Sequence, residues 1–241
     1  MRNRTSHTQA RTPMTDIVRM KHTPRGSIRA VALIFHGGSP EEGTRKVGEW
    51  SASYKRAAYL HWCIKNQLAD QGIALWLTRF RFDNWAHIGG APGSTQVEDS
   101  EAAIKQASVD HPGVPVVLIG HSMGARVAVR VAGKPHVAGV IGLTPWFPAD
   151  EAVDTLAHRH LAVAINPGDP HATAAEATAY CARATTQAIS VDYQEIGSEG
   201  LGRLARGYIG HGMLMNPSRW HRFVTSQVNR MIADRDSHPH P

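Results

Sequence analysis

The run Val114-Pro-Val-Val-Leu-Ile119 passing directly into Gly120-His121-Ser122-Met123-Gly124 constrains this chain more than any other feature. A short aliphatic run of this kind reads as a strand buried on both faces, the environment inside a parallel sheet. Behind the glycines, Ala125, Ala128, Val129 and Ala132 fall along one helical face. Strand, sharp turn and helix thus follow one another without a linker. The turn matches G-x-S-x-G in its required strand-to-helix context. A serine there is held on strained backbone, and the flanking glycines remove the side chains that would clash as the chain doubles back. Ser122 is therefore read as a nucleophile above the sheet, with the helix N-terminus behind it to favour developing negative charge.

The same alternation recurs along the chain. Ala30-Val-Ala-Leu-Ile-Phe35 is a buried strand closed by His36-Gly37-Gly38, and Ala57, Leu60, Ile64 and Leu68 mark a helix that Gly72 ends. Ile73 to Phe82 reads as a strand, Glu98 to Ser108 as a short helix stopped by Pro112-Gly113, and Val137 to Leu143 and His160 to Ile165 as further strands. Ala188 to Ile196 reads as the last strand and Arg219 to Ile232 as a closing helix. This order predicts an α/β domain with a mostly parallel central sheet flanked by helices. Ligands in such sheets bind beyond the carboxyl ends of the strands.

A length of 241 residues with 42 % hydrophobic and 19 % charged content fits one folded domain. The first thirty residues hold Arg2, Arg4, Arg11, Arg19, Lys21, Arg25 and Arg29 against Asp16 alone, and from Val31 onward the formal charge is balanced. The net charge of +6 therefore belongs to the N-terminal segment, and no basic nucleic-acid face is expected elsewhere. We divide the chain into a basic, flexible arm (1–27), a catalytic domain (28–233) and a flexible tail (234–241), with Met14 an alternative translation start. No apolar run reaches the roughly 20 residues of a membrane span, and no signal-peptide core is visible. Cys63 and Cys181 form no CxxC or metal-ligand cluster. A soluble cytoplasmic protein without metal or cofactor, membrane or nucleic-acid partner is expected; its oligomeric state stays open.

A serine hydroxyl needs a base, and the base an orienting acid. With this elbow the partners follow in the order serine, acid, histidine. His211, in the Gly210-His211-Gly212 loop before the closing helix, is the expected base. Asp169 follows the penultimate strand in Asn166-Pro167-Gly168-Asp169 and is the expected acid, with Asp150, Glu151 and, more remotely, Asp192 as rivals. An oxyanion hole needs two preorganised N–H donors. Met123, the residue after the nucleophile, supplies one, and Gly38, or else Ser39, the other.

With these residues in place the chain resembles the α/β-hydrolase superfamily. The resemblance rests on His36-Gly37-Gly38, Gly120-His121-Ser122-Met123-Gly124, Asp169 and Gly210-His211-Gly212, and its element order runs from about Ala30 to Ile232. It implies Ser122 as nucleophile, His211 as general base, Asp169 as acid, and Gly38 and Met123 as oxyanion donors. Two departures stand out. Many relatives carry Gly-x-x-Asp at the acid loop, whereas Gly168 here directly precedes Asp169, which keeps Asp150 in play. Only Thr144 to Arg159 separates two strands between which many relatives insert a cap, so no cap domain is expected and the look is of small capless esterase- or dienelactone-hydrolase-like enzymes. The walls of an open cleft would come from Trp85, His87, Trp146, Phe147 and Met213, each of which can equally pack in the core.

The expected activity is hydrolysis of a carboxylic ester or thioester, a small-molecule acyl substrate, through a Ser-His-Asp triad and an acyl-enzyme. An acyltransferase or condensing thioesterase would use the same residues. A non-catalytic binding module on the same scaffold is the alternative from another class.

Overall fold

Five of the apolar runs become the five central strands of one sheet because every residue in them is buried, as a sheet covered by helices on both faces requires. The computed structural model describes residues 17–38, 45–83, 95–169, 171–197 and 217–237. Its elements are β1 (Val18–His22), β2 (Ala30–Phe35), α1 (Ala52–Ala69), β3 (Ile73–Thr78), α2 (Thr95–Asp110), β4 (Val116–His121), α3 (Met123–Val131), β5 (Val137–Leu143), β6 (His160–Ile165), α4 (Ala174–Ala184), β7 (Ser190–Glu195) and α5 (Pro217–Ser237). Strand order is β1-β3-β2-β4-β5-β6-β7. β1 runs antiparallel to β3, and every other neighbouring pair is parallel.

Period-two alternation sorts the strand side chains between two cores. Val31, Leu33 and Phe35 face one side with Ala103, Ile104 and Ala107 of α2, Ala125 and Ala128 of α3, and Ala177 and Tyr180 of α4. Ala30, Ala32 and Ile34 face the other with Leu60, Ile64 and Leu68 of α1 and Trp220, Val224 and Val228 of α5. Each fully buried side chain of this size contributes about 1.5–3 kcal/mol relative to exposure, so both layers hold the sheet. Because strands β2, β4, β5 and β6 are adjacent and parallel, their carboxyl ends share one edge, and the loops that follow them are neighbours.

The structure adds two elements to the sequence reading and moves several boundaries. β1 lies inside the segment assigned to the basic arm; its residues alternate half-buried and exposed, and Lys21 covers Trp76 at 4.0 Å from the ring centre while bonding Asp110 at 2.7 Å. α4 was not foreseen: Thr173 accepts the Glu176 N–H at 3.1 Å and Glu176 reaches back to Thr173, a capping box that starts the helix. α5 runs from Pro217 to Ser237, past the expected end at Ile232. β3 stops at Thr78, short of the expected Phe82, because beyond it the Phe80 N–H turns to the His36 side chain. Between β5 and β6 there is only a short 3₁₀ turn, Asp154–Leu156, and no cap domain.

Candidate active site

The elbow has the backbone that its sequence demands. Ser122 sits at φ 54° and ψ −118°, between the last residue of β4 and the first of α3. A non-glycine residue with positive φ is uncommon and is held there only by its surroundings. Here the surroundings are hydrogen bonds: the Ser122 N–H donates to Leu143 O at 2.9 Å, and Ser122 O accepts from Ala125 N–H at 3.0 Å. A Cβ on Gly120 would overlap the Ala125 backbone, and one on Gly124 would overlap Phe35 O, so only glycine lets the chain close this turn against β2. Although Ser122 stands at the N-cap of α3, its side chain makes no capping hydrogen bond. The Met123 N–H, first in α3, has no intrahelical acceptor, as for the opening residues of any helix.

The loop after β2 lies against this elbow. A Cβ on Gly37 would stand 3.3 Å from Ser122 Cβ and 3.1 Å from His121 Nδ1, and one on Gly38 would run into Asp83 O and the Met123 thioether. The two expected oxyanion donors are thus packed together beside the serine. What holds the loop is His36, which no reading of the sequence singled out. Its buried ring ties together the loops after β2 and β3: Nε2 accepts the Phe80 N–H at 3.1 Å, so the proton is on Nδ1, which donates to Gly37 O at 2.6 Å. Burial drives its pKa down from 6.5 to about 4, outweighing the Gly37 bond and the Asp83 charge that push the other way. The imidazole is therefore neutral at neutral pH and serves as a strut. Asp83, beside Gly38, is in turn clamped by Arg45 through Nε at 2.8 Å and Nη2 at 2.6 Å.

The carboxylates separate clearly. Asp169 is buried in the loop beyond β6, where its Oδ1 accepts the N–H groups of His171 at 2.8 Å and Ala172 at 3.1 Å. That orients the group at the strand edge that carries Ser122. Asp150 is exposed in the turn closed by Glu151 N–H to Pro148 O. Glu151 is buried and already committed to two guanidinium groups of α3, Arg126 and Arg130, the latter bonding through Nε at 2.6 Å. Asp192 bonds Gln227 at 2.8 Å and pairs with Arg230 of α5. Of the aromatic residues, Phe147 is in the core, its ring stacked 4.0 Å from that of Tyr180, whereas Trp146 is half-buried with the Arg126 guanidinium 4.9 Å from its ring centre. His211, Trp85, His87, Met213 and Ser39 lie outside the described residues. Among the described residues no group of three or more His, Cys, Asp or Glu could hold a metal ion, and no helix is long and apolar enough to cross a membrane.

A family model described as Hydrolase_4, serine aminopeptidase S33, matches residues 88–181, the stretch that contains the elbow and Asp169. Human monoglyceride lipase is 28% identical over 132 residues, covering 51% of this chain. That alignment spans 37% of the human protein, so the likeness concerns little more than a third of it. Among solved structures, an α/β serine hydrolase homologue from Coxiella burnetii matches with a TM-score of 0.61 at 16% identity, over 86% of this chain and 89% of that one. Est1E from Butyrivibrio proteoclasticus, solved with ferulic acid bound, matches at 0.60 and 10% identity over 89% and 94%. A serine hydrolase without lid from Xanthomonas campestris matches at 0.51 and 17% identity over 73% and 76%. Sheet order, elbow and these likenesses show that the chain has the α/β-hydrolase fold. Over residues 88–181 it resembles a serine-hydrolase family, and no cap stands between β5 and β6.

Proposed function

We propose that this protein hydrolyses a carboxylic ester or thioester, with Ser122 as nucleophile, His211 as general base, Asp169 as orienting acid, and the N–H groups of Gly38 and Met123 as the oxyanion hole. The observation that carries this reading is the strained Ser122 backbone at φ 54°, pressed against a glycine loop that His36 braces. Strain of this kind is maintained at functional sites, and nothing in the packing of α3 alone calls for it. The ends of β4 and β6 are two strand spacings apart, about 10 Å, a gap suited to an imidazole between a hydroxyl and a carboxylate.

In this mechanism Ser122 Oγ attacks the acyl carbon as its proton passes to His211. The carbonyl oxygen becomes an oxyanion held by two N–H donors, each worth about a hundredfold or more in rate. Collapse breaks the carbon–oxygen or carbon–sulfur bond, and His211 returns the proton to the leaving alcohol or thiol. Water then attacks the acyl-enzyme, gives a proton to His211, and releases the acid while Ser122 regains its hydroxyl hydrogen. A small acyl compound is the proposed partner, the cytoplasm the proposed setting, and Trp85, Trp146 and Met213 the proposed cleft wall.

The reading is tested with p-nitrophenyl esters, lactones and acyl thioesters assayed against wild type and Ser122→Ala. A fall in kcat on the order of a million-fold with unchanged circular dichroism is expected. Near-full turnover by folded Ser122→Ala protein would overturn it.

A further inference from the structure

At the opposite edge of the sheet, where β5, β6 and β7 begin, lies a cavity of about 610 Å³ that ester hydrolysis does not use. Pro135 and His136 precede β5, His158 and Arg159 precede β6, Ile189 precedes β7, and Arg235 comes from the last turn of α5. Two arginines on a half-enclosed surface ordinarily find carboxylates. These bond carbonyls instead: Arg159 donates to Ala132 O at 3.2 Å and His158 O at 3.0 Å, and Arg235 donates to His136 O at 3.1 Å. Among the described residues neither is paired with a carboxylate. Asp234, the acidic residue of the lining, faces His160 at 4.0 Å.

The backbone around the cavity turns in a way that explains this arrangement. His136 and His158 both hold positive φ, 66° and 61°, the left-handed turn conformation that histidine adopts more readily than most residues. Each is the residue whose carbonyl takes one of the two guanidinium groups. These turns therefore present two carbonyls that fix two cations close together, and Arg159 is held below the usual arginine range by burial and by the Arg235 charge. Carbonyls orient a guanidinium without neutralising it. The remaining edge of each planar fork keeps its full charge, which is the geometry for bidentate capture of an oxyanion. In the same lining, Ile189 offers an exposed apolar side chain and Pro135 a second apolar group.

We propose that this cavity binds a phosphate monoester with a small apolar body, its phosphate between Arg159 and Arg235 and its body against Ile189 and Pro135. A phosphate dianion presents enough oxygens to accept both forks, whereas a carboxylate satisfies one. The volume suits a ligand of metabolite size. The site rests on residues remote from Ser122 and stands whether or not the ester-hydrolysis reading holds.

Isothermal titration calorimetry of the full chain with phenyl phosphate, inorganic phosphate and benzoate tests it. Phenyl phosphate is expected to bind more tightly than inorganic phosphate, and both more tightly than benzoate. Arg235→Gln, in the last turn of α5, is expected to weaken both phosphates by about tenfold or more, the scale of one charge-assisted hydrogen bond. Arg159→Gln should do the same; because Arg159 also ties the end of α3, its melting temperature is measured alongside. Ile189→Ser should weaken phenyl phosphate and leave inorganic phosphate unchanged, and Ser122→Ala should bind as wild type does. Absence of binding by either phosphate, affinities unmoved by Arg235→Gln, or benzoate binding as tightly as phenyl phosphate would each overturn the proposal.

Discussion

Acid should loosen this protein through one buried imidazole. His36 is wholly enclosed, with its Nε2 facing a donor, the Phe80 N–H, so that a proton arriving there would set two donors against each other. In the unfolded chain the same ring titrates at the ordinary value of 6.5, and in the folded protein at about 4. Below 6.5 the unfolded state binds the proton and the folded state does not, so stability is present in full above 6.5 and is lost as pH falls toward 4. Each factor of ten in proton affinity is about 1.4 kcal/mol, which makes the whole loss ~3 kcal/mol between about pH 7.5 and pH 4. Much of the stability of a typical domain is at stake, since the whole is about 5–15 kcal/mol. The assay is urea unfolding of wild type and His36→Asn across that range. The asparagine keeps a donor and an acceptor but does not titrate, so the acid-dependent behaviour of other groups, His61 and His221 among them, cancels in the difference. Wild type should exceed the variant at neutral pH and lose ~3 kcal/mol of that margin by about pH 4. A margin that does not change with pH would refute the claim that His36 is a dry, neutral strut.

Further outcomes follow from the same geometry. Asp169→Asn should lower kcat on the order of ten-thousand-fold, the scale for losing a triad acid, while Asp150→Asn should leave turnover near wild type because that residue is exposed in a turn; equal losses in steady-state kinetics would reassign the acid. Glu151→Gln leaves the buried Arg126 and the neighbouring Arg130 short of a charge and should destabilise the fold by about 3 kcal/mol in urea titration, an effect absent if the cluster is solvated. Gly38→Ala forces a methyl into Asp83 O and the Met123 thioether, so the loop must shift, and kcat should fall about a hundredfold or more; wild-type kinetics in that variant would remove Gly38 from the oxyanion hole.

Most of the central sheet is legible in the sequence because its strands are buried on both faces and appear as unbroken apolar runs. β5 and β6 have the predicted bounds, Val137–Leu143 and His160–Ile165. Elements at the margin are harder. β1 reads Val-Arg-Met-Lys-His and looks like part of a basic arm, since Lys21 is committed to a tryptophan face and an aspartate that only the fold supplies. α4 is alanine-rich with a weak stripe, but its start was encoded in Thr173-Ala-Ala-Glu176, a capping box whose spacing is visible in the chain. The elbow and its glycines were legible for steric reasons. The rival acids were not separable, because Glu151 is engaged by arginines 21 and 25 positions earlier, a contact with no local signature. The role of His36 was hidden for the same reason: its partner Phe80 is 44 residues away.

In the proposed mechanism Ser122 is a nucleophile activated by His211. A fluorophosphonate probe, followed by peptide mass spectrometry on folded wild type and on His211→Ala, measures that directly. Covalent mass added at Ser122 in wild type, and labelling of the variant slowed a thousandfold or more, on the order of a lost triad member, is the predicted result. An unlabelled Ser122 in folded wild type, or labelling at the same rate without His211, would contradict it.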